Sequence, residues 1–234
     1  MPANGRRDLI RLQKVKPYKM RLVQALAPAN KVKSHNFCQE MQLKMEENDF
    51  VETPIFCDEA TFHISGKVNV HNVRICGTGQ PHAQIEQKRE SLKVNVFCAL
   101  FREKLQGPNF FTEATVTGDS FLDILENWLL PQLNTNYYDY LLQLDGAPPH
   151  FHMNVRVLLN HVLQQHWIGC AAKGDNHLLP WPLCSSDLTP CDFFLWGFVK
   201  DGIYLPPLPM SLKELHDRIT HALQTITADM LYRV

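Results

Sequence analysis

No apolar run in the 234 residues approaches the ~20 that a membrane-spanning helix needs, and the N-terminus lacks the apolar core of a signal peptide. No Asn-x-Ser/Thr acceptor occurs, and no internal repeat or low-complexity tract is present. These absences argue against a glycosylated, repetitive or membrane-spanning chain. The seven cysteines are odd in number and scattered, which does not suit a disulfide framework and points to a reducing intracellular compartment. What is present is ordinary globular composition, 45% hydrophobic and 20% charged, which argues against a disordered chain. At 27.0 kDa it reads as one large domain or a core with a short appendage. A chain of this length buries roughly 70% of its unfolded surface, so it requires neither disulfides nor a structural metal.

The net charge of −1 hides an asymmetry. Nine Lys or Arg precede Ser34 against the single acid Asp8, so the remainder of the chain is acidic. A basic arm on an acidic body suits an arm that meets phosphate and a body that holds cations; a solvated basic tail is the plainer alternative.

The organisation expected from pattern is threefold. Residues 1–50 are a basic linker (to residue 27) followed by a helix from Pro28 to about Glu47, on which Val32, Phe37, Met41 and Met45 form a stripe. Residues 51–205 form the core and 206–234 a C-terminal helical segment. Within the core, strands are expected over 51–64, 93–102, 109–116 (after a Gly107-Pro108 turn), 140–145 and 167–170. Helices are expected from Asp119, as cap, through Leu133, over Val155–Gln165, and from Thr189–Pro190 to about Tyr204. Ser211 and Glu214 form a capping box for a helix bearing Leu212, Leu215, Ile219, Leu223 and Ile226. Thr227 opens a further one. Strands first, then alternating strands and helices, make an α/β core with a mixed sheet.

Three acids need explaining. Alternation places Asp58 on one face of the first strand with Phe56, Ala60, Phe62 and Ile64, where an ionised carboxylate costs several kcal/mol unless compensated. Asp145 closes a strand and is followed by Gly146, and ligands of α/β sheets gather beyond the carboxyl ends of strands. Asp192 lies in the first turn of the helix that begins near Thr189. Each has a structural alternative: a cross-sheet ion pair for Asp58, an Asx-turn for Asp145, a capping box with Thr189 for Asp192. Together they form a trio that hard cations can bridge, and Mg²⁺ and Mn²⁺ favour carboxylate oxygens. Cys170, His177, Cys184 and Cys191 lack the paired spacing of closed zinc sites, and Gly77-Thr78-Gly79 lacks the context of a phosphate loop. Phe193, Phe194 and Trp196 sit at helical spacing and read as core.

The stretches FCDEATFHISGKVNVHN, QLDGAPPHFH and SSDLTPCDFFLWG resemble the three acidic motifs of mariner-superfamily transposases. That resemblance runs from about Pro17 to the last residue and implies a ribonuclease-H-like mixed sheet flanked by helices. It also implies a DDD triad of Asp58, Asp145 and Asp192, with Asp187 belonging to the flanking motif. Asp58 and Asp145 would bridge or flank two Mg²⁺ or Mn²⁺ ions, Asp192 would complete the shell of one, and His150 would be a substrate-positioning or proton-transfer group, with a surface histidine as its alternative. Glu59, on the opposite strand face, stays outside that shell. The implied chemistry is DNA cleavage at transposon ends and transfer to target DNA, in the nucleus, with homodimerisation as in relatives and no membrane or small-molecule partner.

Three departures stand out. The reading heads of the family, two helix-turn-helix units, are almost wholly missing from the sequence, Ser186 replaces the proline of Ser-Pro-Asp-Leu, and the chain stops where relatives continue. Losing that proline relaxes its turn by up to about 1 kcal/mol. A truncated or decayed copy is therefore expected, with a non-catalytic nucleic-acid-binding or interaction module as the alternative, and an expressed relic as a third.

Overall fold

The computed structural model describes residues 27–48, 54–66, 91–137 and 139–234. Most of the basic linker, positions 51–53 of the first expected strand, and Gly77-Thr78-Gly79 lie outside these. Helix α1 (Pro28–Asn48) leads to strands β1 (Pro54–His63), β2 (Lys93–Leu100) and β3 (Leu105–Phe110). Helix α2 (Gly118–Ile124) passes through a wide turn at Leu125–Leu129 into α3 (Leu130–Asn136). Then come β4 (Leu141–Gln143), α4 (Met153–Val162), β5 (Trp167–Gly169) and β6 (Leu179–Pro180). A second wide turn at Cys191–Leu195 opens α5 (Trp196–Ile203), and α6 (Leu212–Gln224) and α7 (Ala228–Tyr232) follow.

The strands form one sheet in the order β3-β2-β1-β4-β5-β6. β2 runs antiparallel to β1 and to β3, while β1, β4, β5 and β6 are parallel. This is the mixed α/β sheet flanked by helices that the motifs imply, with the ribonuclease-H-like architecture. Alternation along β1 divides its side chains between two cores. Ile55 and Cys57 join Phe97, Phe121, Leu125 and Leu129 beneath α2–α4. Ala60 and Phe62 join Val96, Leu195, Trp196 and Val199 beneath α5, and Leu215, Ile219 and Leu223 of α6 close the same core. Each fully buried Leu, Ile or Phe here contributes about 1.5–3 kcal/mol by leaving water. A smaller cluster seats Phe37 and Met41 of α1 against Leu141, Ile168, Leu179 and Trp181. Among the described residues, no helix is long and apolar enough to cross a membrane.

Several expected boundaries move for identifiable reasons. β3 begins at Leu105 and contains Gly107-Pro108 rather than following it. The reversal occurs earlier, where Phe101 N–H donates to Lys104 C=O, and the pair sits in a register irregularity opposite Phe97–Ala99. Proline is tolerated at such a bulge on an edge strand, and Gly107 has a φ of +124°. Thr117, not Asp119, caps α2 by accepting from Ser120 N–H, because Thr117 is the last residue with extended backbone. α4 ends at Val162, short of Gln165, because Leu163 leaves helical backbone with φ −123° and ψ 52°, and Gln165 then turns the chain with a φ of 61°. Phe193, expected in the core, is 53% exposed, whereas Trp196 is buried.

Candidate active site

Register brings the first two acids level. β1 pairs in parallel with β4 as Pro54 with Leu141, Ile55 with Leu142 and Phe56 with Gln143. Continuing that register by two residues sets Asp145, just past the end of β4, beside Asp58. Asp192 arrives from the second wide turn, where Asp192 N–H donates to Thr189 C=O at 2.9 Å. Wide turns of this kind inside helices recur at functional sites. Thr189 does not cap: its hydroxyl is buried without a hydrogen-bond partner.

Asp58 is 6% exposed. Its Oδ1 accepts from Glu59 N–H at 2.8 Å and its Oδ2 from the indole N–H of Trp196 at 2.7 Å. Burial drives its pKa well above the carboxylate range, and the charges of Asp192, Glu59 and Asp145 add to that, with only the Trp196 bond opposing. Asp192 is pushed up to about 6 by burial and by Asp145, against Lys200. Lys200, further along in α5, is itself lowered by burial while Asp192 and Asp58 pull it upward.

Asp145 differs. Among the described residues its polar contacts fall on Oδ1: Ala147 N–H donates at 2.8 Å and His150 Nδ1 lies 2.7 Å away as a close ion pair. Against the burial that would raise it, these contacts hold its pKa below the usual value. His150 is 2% exposed, so the surface-histidine alternative does not hold. Its Nε2 lies 3.0 Å and 3.2 Å from the two Glu59 oxygens. Burial alone would lower its pKa, but Glu59 and Asp145 raise it well above 6.5. Neither ring nitrogen is turned to solvent. Glu59 lies on the β1 face opposite Asp58, as alternation requires.

A cavity of about 330 Å³ opens beside the acids, lined by Asp145, Asp192, Thr189, Ser185, Trp181 and Leu183 among others. Gly146 borders it at a point where a Cβ would sit 2.7 Å from Leu183 Cδ2. Three carboxylates, of which burial and neighbouring charge raise the pKa of Asp58 and Asp192 while Asp145 stays low, with one partly buried lysine near them, are a donor set suited to hard divalent cations. In the present rotamers, no group of three or more His, Cys, Asp or Glu among the described residues stands at metal-holding spacing. Sequence reasoning missed Trp196, which it assigned to the core alone. A signal existed: Trp196 is four residues after Asp192, hence on the same helix face, and a buried indole seeks an acceptor.

No protein-family model and no curated protein matches the chain. Solved structures do match. The Mos1 transposase paired-end complex with left transposon end aligns at a TM-score of 0.72 and 16% identity, covering 98% of this chain and 65% of that one. The chain has the fold of the Mos1 mariner transposase catalytic domain. The Mos1 paired-end complex with Mg aligns at 0.73 and 17% identity, covering 96% of this chain and 64% of its own. The isolated Mos1 catalytic domain aligns at 0.62 and 14% identity, covering 91% and 90%. The chain thus spans about 65% of the length of the paired-end Mos1 chain but most of the catalytic domain. At these identities the likeness establishes the fold. In this chain the three aspartates of the acidic motifs lie on β1, just past β4 and in the wide turn that opens α5.

Proposed function

We propose that this chain is a transposase-derived, metal-dependent core that cleaves DNA phosphodiesters and transfers strands, with Asp58, Asp145 and Asp192 as its DDD triad. The observation that carries the reading is the convergence of these acids, two level on adjacent parallel strands and one at a helix start, on a fold shared with Mos1. Mos1 is known in complexes with transposon ends, with Mg and with Mn, which supports transposon-end and target DNA as substrates and two Mg²⁺ or Mn²⁺ ions as cofactors. When bound, such ions supply an activated water or 3′-hydroxyl and stabilise the leaving oxygen.

The protein's own part is to hold the donors. Trp196 fixes Asp58 Oδ2, and Ala147 and His150 fix Asp145 Oδ1, which leaves Asp145 Oδ2 for the cavity. Asp192, exposed at the cavity mouth, is the carboxylate best able to swing toward an arriving cation. The basic arm supplies weak, salt-sensitive, sequence-independent DNA contact, and nuclear location and a homodimer belong to this proposal.

Nicking of supercoiled plasmid with Mn²⁺ tests it. The expected result is nicking by the natural chain that Asp145→Asn abolishes. Equal nicking by both chains, or none from a folded sample, overturns it and favours a second reading, a non-catalytic nucleic-acid-binding module. That reading draws on the protein partners already occupying both Asp58 oxygens.

A further inference from the structure

Outside the acid trio, one buried arrangement does not follow from packing. His150 lies between two carboxylates from different elements, Glu59 on β1 and Asp145 after β4, with its ring 4.3 Å from that of Phe121. The His150 side chain is 1% exposed and that of Glu59 11%. Burying a histidine and a glutamate against a half-buried aspartate is expensive compared with apolar packing, so the link calls for a role beyond filling space. Its geometry supplies one. Glu59 grips Nε2 through both oxygens, which sets the ring's rotation, and the ring then presents Nδ1 to Asp145 Oδ1.

We propose that Glu59 is a positioning residue for the site: acting through His150, it sets the rotamer of Asp145 so that Oδ2 faces the cavity. The inference rests on the function proposed above. The Glu59 side chain touches neither substrate nor metal, since it lies on the far face of β1 and meets Asp145 only through the imidazole, while its backbone N–H donates to Asp58 Oδ1. Partners behind a metal ligand typically change metal affinity 10–100-fold when removed.

The test is Mn²⁺ binding to the full chain, measured by calorimetry or by loss of the free-ion spin-resonance signal, with metal-free melting followed in parallel. Glu59→Gln is expected to weaken Mn²⁺ binding tenfold or more. His150→Asn, which keeps a donor near the Nδ1 position but cannot reach Glu59, is expected to retain tighter binding than His150→Ala. Glu59→Gln combined with His150→Ala should bind no more weakly than His150→Ala alone, because both changes break one chain of contacts. Should Glu59→Gln not fold, Glu59→Asp keeps the charge but is too short to reach the ring, and the same weakening is expected.

Natural affinity in Glu59→Gln, or strictly additive losses in the double variant, overturns the inference. Asp145→Asn separates the two levels. If it weakens Mn²⁺ binding while Glu59→Gln does not, the positioning role alone fails. If Asp145→Asn leaves Mn²⁺ binding unchanged, the metal-site reading fails and this inference falls with it.

Discussion

Trp196 donates its indole N–H to Asp58 Oδ2 across 2.7 Å, so α5, opened by the wide turn that carries Asp192, also holds the acid of the first strand. The two carboxylates are therefore coupled mechanically as well as by charge. Trp196→Phe keeps the edge-on ring contact with Phe62 but strips a buried oxygen of its donor. We expect a loss of about 1–3 kcal/mol in thermal or urea unfolding. Because the Trp196 bond opposes the rise in the Asp58 pKa, Mn²⁺-dependent nicking by the variant should also need higher pH. Unchanged stability and pH profile would sink the idea.

Without metal, the acid trio should make the protein less stable as pH rises. The folded-state pKa of Asp58 is raised, and that of Asp192 is about 6, so the folded state holds protons that the unfolded state releases above about 4. His150, raised above 6.5, acts in the same direction, its contribution being lost as pH climbs through its folded value. Asp145, lowered, contributes in the opposite sense only below about 4. Melting in EDTA should thus fall between pH 5 and 8, apart from general charge effects, and Mn²⁺ should restore it at the upper end by binding the folded state. Asp192→Asn should stabilise the metal-free chain by about 1 kcal/mol, the shift being discounted for solvent screening at this exposed group, and should remove the Mn²⁺ response.

Asp175 anchors the segment before β6. Its carboxylate accepts from Arg156 at 2.7 Å, Asn160 at 2.8 Å and Ala172 N–H at 2.6 Å, tying the loop to α4. Burial would raise its pKa, but the three donors lower it, so its contribution is present above about 4 and is lost as pH falls below that. Asp175→Ala should cost about 1–3 kcal/mol and loosen the cavity wall that begins at Trp181. A urea titration at neutral pH checks this.

Deleting residues 1–26 should leave the melting temperature within a degree or so, since the core assembled from Pro28 onward buries the apolar faces of the sheet. The same deletion should remove most DNA retention at low salt, because those residues carry seven Lys or Arg. Filter binding across about 50–200 mM salt provides the measurement. Unfolding on deletion would contradict the linker assignment, and selective binding that survives high salt would contradict the proposed mode of contact.

Much of this was readable in the residues. Alternation along 54–63 distinguishes the Asp58 face from the Glu59 face, and the periodicity of 212–224 predicts α6 with its Ser211 cap, whose side chain accepts from Glu214 N–H at 3.1 Å. Helical and strand periods are local, so a window of a dozen residues carries them. Gly107-Pro108 misled because it is a turn signal in isolation. Only the neighbouring edge of β2 shows that a bulge can hold it within a strand.

The three acidic motifs, and with them the likeness to mariner transposases, were set by sequence alone, because each motif is a short run whose residue types do not depend on what folds against it. The tertiary structure decided what those runs meet. Parallel pairing of β1 with β4 put Asp58 level with Asp145, and helix packing delivered the Trp196 indole to Asp58. Chain return across 91 positions enclosed His150 between Glu59 and Asp145. Such contacts depend on register and packing between segments distant in the chain, and no local pattern encodes them.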